Sequence, residues 1–77
     1  QGKNIQALLD QLQQSFPGHD CITIDGLKIM FNQGWVHLRA SNTEPILRLY
    51  AEHQTQEKAR SLANRVRREF EQIIEYH

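Results

Sequence analysis

Along Asp25-Gly26-Leu27-Lys28-Ile29-Met30-Phe31-Asn32-Gln33-Gly34-Trp35-Val36-His37-Leu38-Arg39-Ala40, apolar side chains recur every second residue in two runs, and turn formers stand before and between those runs. This is the pattern of consecutive antiparallel strands. Asp25-Gly26 supplies the left-handed backbone of a tight hairpin, so a strand is expected before it, over roughly Asp20 to Ile24, and a second through Leu27, Ile29 and Phe31. Asn32-Gln33-Gly34 turns the chain into a third strand, Trp35 to Ala40, and after a six-residue excursion Ile46 to Glu52 forms a fourth. Alternation sorts the last two strands into faces. Val36, Leu38, Ala40, Leu47, Leu49 and Ala51 make an apolar set, while Trp35, His37, Arg39, Arg48, Tyr50 and Glu52 make a polar and aromatic one.

Working outward, the period changes to that of a helix on both sides. Ile5, Leu8, Leu9 and Leu12 form a stripe within Lys3 to Ser15 that Phe16-Pro17-Gly18 terminates. Ala59, Leu62, Ala63, Val66, Phe70, Ile73 and Ile74 hold the same spacing through a longer second helix, with Thr55 placed to cap its start. The architecture implied is α+β, helix-β-β-β-β-helix, with both helices packed on one face of a four-stranded antiparallel sheet and the polar face open. The 77 residues have room for one such domain, 1–77, and for one core.

Composition narrows the function classes. Nine basic and nine acidic side chains balance to a net charge of zero, so no global basic field for nucleic acid exists. The single cysteine, Cys21, cannot form an intramolecular disulfide, and a cytoplasmic setting is expected. No apolar run approaches the ~20 residues that span a bilayer, and neither a membrane anchor nor a signal peptide is expected. A core this small offers few walls for a water-excluding cavity, which points to a binding module rather than a self-contained enzyme.

The chemistry concentrates between the third and fourth strands, in Arg39-Ala40-Ser41-Asn42-Thr43-Glu44-Pro45-Ile46-Leu47-Arg48. A phosphate dianion is held by forked guanidinium groups, hydroxyls and backbone N–H groups converging on one concavity. Arg39 and Arg48 can provide the forks, Ser41 and Thr43 the hydroxyls, and the backbone of Ser41 to Thr43 the N–H nest, with Asn42 tolerating the left-handed conformation it needs. The alternative is an ordinary polar hairpin whose arginines pair with Glu44 and Glu52.

Arg39-Ala40-Ser41-Asn42-Thr43-Glu44-Pro45 resembles the phosphate-binding loop in the last domain of the α-D-phosphohexomutases, and its context, Gly34 to Leu38 leading in and Leu49 to Glu52 leading out, is similar too. The resemblance covers about Asp25 to Phe70. Ala40 and Asn42 resemble the phosphomannomutase/phosphoglucomutase branch, since phosphoglucosamine mutases usually carry proline and glycine there. The resemblance implies a multidomain parent that interconverts hexose 1-phosphates and 6-phosphates through a phosphoserine and a bisphosphate. Its serine nucleophile and Mg2+ ligands would lie in other domains, leaving no catalytic residue, cofactor or metal in this one. The substrate would be mannose or glucose phosphate, and Arg39, Ser41, Asn42 and Thr43 carry over to the family's phosphate contacts. Arg48 is added from the face argument alone.

Other readings compete. His19, His37, His53 and His77 are spaced 18, 16 and 24 residues apart, which suits no metal-ligand pattern. Trp35 and Tyr50 are expected to cover the sheet or meet a neighbouring domain rather than stack on sugar. Arg60, Arg65, Arg67 and Arg68 on the second helix resemble the basic face of a double-stranded-RNA-binding module, the main alternative. The interleaved Glu57, Glu69, Glu71 and Glu75 instead predict a solvated face with local ion pairs, and no nucleic-acid partner. A purely structural oligomerisation domain is a third reading.

Overall fold

The computed structural model describes residues 5–41 and 47–75. Along the chain they form α1 (Ile5–Gln14), β1 (Cys21–Ile22), β2 (Leu27–Phe31), β3 (Gly34–Ala40), β4 (Leu47–Glu52) and α2 (Gln56–Glu75). The strands make one antiparallel sheet in the order β1-β2-β3-β4, so each pairs only with its neighbour in sequence.

Registers of Ile29 with Val36 and Leu38 with Leu49 bring the apolar alternation of three strands onto one face. Leu27, Ile29, Val36 and Leu38 are buried there against Leu8, Leu9 and Leu12 of α1 and Val66 and Phe70 of α2, with Phe16 between them. Both helices therefore cover the same side of the sheet. Leu47, Leu49 and Ala51 of the edge strand β4 pack against this core half-buried, whereas Ala40, at the end of β3, is exposed. The second helix starts where its cap was expected: Thr55 Oγ1 accepts the Lys58 backbone N–H at 3.1 Å.

Three details depart from the pattern reading. The first strand is only Cys21–Ile22, extended by one bond from the Met30 N–H to the Asp20 carbonyl at 2.9 Å, and Ile24 is 94% exposed in the bend that follows. The β2–β3 turn places Gln33, not Gly34, in the left-handed region at φ 69°, and Gly34 already pairs with Phe31. At the outer ends of the helical stripes, Ile5 and Ile74 are about two-fifths exposed, at 39% and 40%.

Candidate functional site

The open face is built from the residues left over when the core took every second position. Lys28, His37 and Tyr50 lie in register across three strands, and Lys28 extends its ammonium over the Trp35 ring, 4.3 Å from the centroid. At the end of β3, Arg39 stands directly opposite Arg48 of β4. Residues directly opposite in an antiparallel pair project to the same side, their Cβ atoms about 5 Å apart, and like charges so placed repel. The two arginines flank the mouth of the hairpin loop, and both are exposed.

Ser41 follows Arg39 and Ala40, half-buried, at the point where the chain leaves the strand. Asn42 and Thr43, with Glu44, Pro45 and Ile46, lie outside the described residues. Of the five residues expected at the site, Arg39, Ser41 and Arg48 are thus brought to one end of one strand pair. Among the described residues no carboxylate reaches Arg48, and Glu52, the acid proposed as a surface partner, sits opposite Trp35 instead.

The acid that does meet Arg39 comes from elsewhere. Asp25 Oδ2 lies 2.8 Å from Arg39 Nε, with the two side chains 60% and 47% exposed. Asp25 was legible only as a turn former. Its approach to Arg39 depends on the β1–β2 bend lying across the end of β3, which no local pattern encodes.

His19, His37 and His53 all bind backbone. His37 Nε2 donates to the Asp25 carbonyl at 2.7 Å and His19 Nδ1 to the Met30 carbonyl at 3.0 Å, since a carbonyl can only accept. His53 Nδ1 accepts the Gln54 N–H at 2.8 Å. Among the described residues no three His, Cys, Asp or Glu side chains converge as metal ligands, and no helix is long and apolar enough to cross a membrane. The Cys21 thiol is pushed above its ordinary pKa by burial, with the Asp20 carboxylate adding to the effect.

On α2 the expected ion pairs are not made. Among the described residues none of its glutamates comes within 4.0 Å of one of its arginines. Arg65 instead lies over the rings of Phe16 and Phe31, 5.4 and 5.5 Å from their centroids. Its planar head and aliphatic stem seal the edge of the aromatic cluster formed by Phe16, His19 and Phe31.

The family described as "Phosphoglucomutase/phosphomannomutase, C-terminal domain" matches residues 1–69. The chain belongs to that family. Membership in this mutase-domain family extends the likeness back from Asp25 through α1, which the loop motif alone did not reach. A phosphoglucomutase/phosphomannomutase of Thermococcus kodakarensis is 54% identical over 43 residues, covering 56% of this chain and 9% of that protein. A phosphoglucomutase of Neisseria meningitidis serogroup B is 40% identical over 78 aligned positions, covering 97% of this mutase domain and 16% of its relative. A probable phosphoglucosamine mutase of Methanothermobacter thermautotrophicus is 41% identical over 68 residues, 87% of this chain and 14% of that one. The chain thus spans well under a fifth of the length of these relatives.

Proposed function

We propose that residues 1–77 act as one domain that holds the substrate phosphate in a phosphoglucomutase/phosphomannomutase-type parent. It grips the phosphate of a mannose or glucose phosphate that is not being transferred. The observation that carries this reading is the direct pairing of Arg39 with Arg48 across β3 and β4 at the mouth of the loop. Residues paired in this way project to the same side of the sheet, so an anion at the loop mouth can draw N–H donors from both guanidinium groups, which otherwise repel one another. Ser41 at the strand end, and Asn42 and Thr43 by the family resemblance, add hydroxyl and amide donors.

Such a site serves the parent's chemistry without touching the reacting atoms. Phosphoryl transfer depends mainly on positioning and electrostatics, so holding the remote phosphate in both orientations of a bisphosphate lowers the barrier by aligning the other end. The phosphoserine and the Mg2+ ligands belong to other parts of the parent in this reading. The partners proposed are a hexose phosphate and the parent's remaining domains, in the cytoplasm, with no nucleic acid.

In this chain alone the loop works in full solvent, where charge-assisted bonds are weakened by water and salt. The affinity expected is on the order of millimolar, about 4 kcal/mol. Amide NMR at low ionic strength should display shifts concentrated from Arg39 to Thr43, similar with inorganic phosphate and glucose 1-phosphate and absent with free glucose. Arg39→Ala should abolish them and leave the fold intact. Shifts gathered on α2 instead would transfer the anion site to its basic face and return the loop to a polar turn.

A further inference from the structure

The geometry points to Asp25 as the positioning residue for Arg39: from the β1–β2 bend its carboxylate holds Arg39 by Nε and leaves the far end of the guanidinium to the phosphate. This inference rests on the phosphate-holding function proposed above. An arginine carries five N–H donors in a rigid fork, and Nε lies at its stem. An ion pair made at Nε, 2.8 Å long here, fixes the plane and direction of the group without covering its terminal edge. A second anion can then meet that edge in a defined orientation.

The bend that presents Asp25 is itself fastened to β3, the strand that carries Arg39. His37 Nε2 donates to the Asp25 carbonyl at 2.7 Å. Gly26 follows with φ 74° and lies so close to β3 that a Cβ built on it would collide with the Leu38 carbonyl oxygen. Burial does not hold the bend, for Ile24 is 94% exposed and Asp25 is exposed as well. His37, Leu38 and Arg39 are consecutive on β3, so one short stretch anchors the bend and receives its carboxylate.

Positioning and simple electrostatics predict opposite signs, which makes the role testable. Asp25→Asn removes a negative charge beside an anion site, and charge alone would then tighten phosphate binding. A positioning role demands that binding weaken, by about fivefold, the upper end of what an exposed ion pair contributes. The test is an inorganic phosphate titration of this chain, followed by amide NMR and by the Arg39 Nε–Hε resonance. Asp25→Asn should weaken phosphate, shift and broaden the Nε–Hε signal, and leave the Gly26 and Leu38 amides in place, because the His37 bond uses the backbone carbonyl. Asp25→Glu should recover part of the affinity.

Equal or tighter phosphate binding by Asp25→Asn overturns the proposal and leaves the phosphate site standing. A second variant, His37→Phe, cuts the backbone anchor and spares the carboxylate. If it weakens phosphate as much as Asp25→Asn does while the Nε–Hε signal stays unchanged, the bend is only a support and the proposal falls. Absence of any phosphate shift in the unsubstituted chain removes the phosphate site itself, and Asp25's role with it.

Discussion

Gly26 meets two constraints at once, a left-handed backbone at φ 74° and a carbonyl pressed against the place where a side chain would begin. The left-handed region alone costs an L-residue roughly 1–2 kcal/mol. Overlap with the Leu38 backbone adds to this, because a paired strand cannot retreat without breaking its ladder. Gly26→Ala is therefore expected to destabilise the fold by about 2 kcal/mol or more, measured by urea unfolding. A loss below ~0.5 kcal/mol would mean that the bend moves freely away from β3. Gly34 illustrates the other use of a missing side chain. Its backbone is ordinary strand, but a Cβ there would stand 2.6 Å from both the Glu52 carbonyl oxygen and the His53 ring. The pattern Asn32-Gln33-Gly34 suggested a glycine that serves the turn, whereas this one serves the close passage of the end of β4.

Among the elements, α2 depends on its cap as well as its apolar stripe. Thr55 satisfies an N–H that the first turn cannot pair internally, so Thr55→Ala should lose about 1 kcal/mol by chemical denaturation. Thr55→Ser should retain most of it. The cap, the stripe and the two-residue alternation of β2 to β4 were legible because each is a local period or a local bond, and the registers follow from burying one face. The first strand is shorter than the pattern predicts because Ile22 and Ile24 suit a strand by type, yet the bend lifts Ile24 away before it can pair. Of the candidate site, the placement of Arg39 and Arg48 on one face could be worked out from strand parity across the hairpin. Asp25 could not, since its role arises from the bend crossing a strand more than ten residues further along the chain. The ion pairs expected on α2 also failed to appear, which fits the small gain such exposed pairs offer against side-chain entropy.

At the scale of the whole molecule, the two arginines proposed to hold phosphate stand opposite each other on β3 and β4, in a chain that spans well under a fifth of the length of its mutase relatives. Purified as it stands, the chain is expected to give no turnover of mannose 1-phosphate or glucose 1-phosphate, with or without magnesium, in a coupled assay for the 6-phosphate. Measurable turnover from pure protein would overturn its assignment as a phosphate-holding domain. The spatial order of the sheet, β1-β2-β3-β4, repeats the order of the chain, and this has a kinetic consequence. No strand must wait for a distant partner, so each hairpin closes a short loop at little entropic cost, and α2 can dock on β3 and β4 as soon as they pair. Among the described residues α1 packs both on the nearby β2 and on α2, and its meeting with α2, which joins the two ends of the chain, is the longest closure the fold requires.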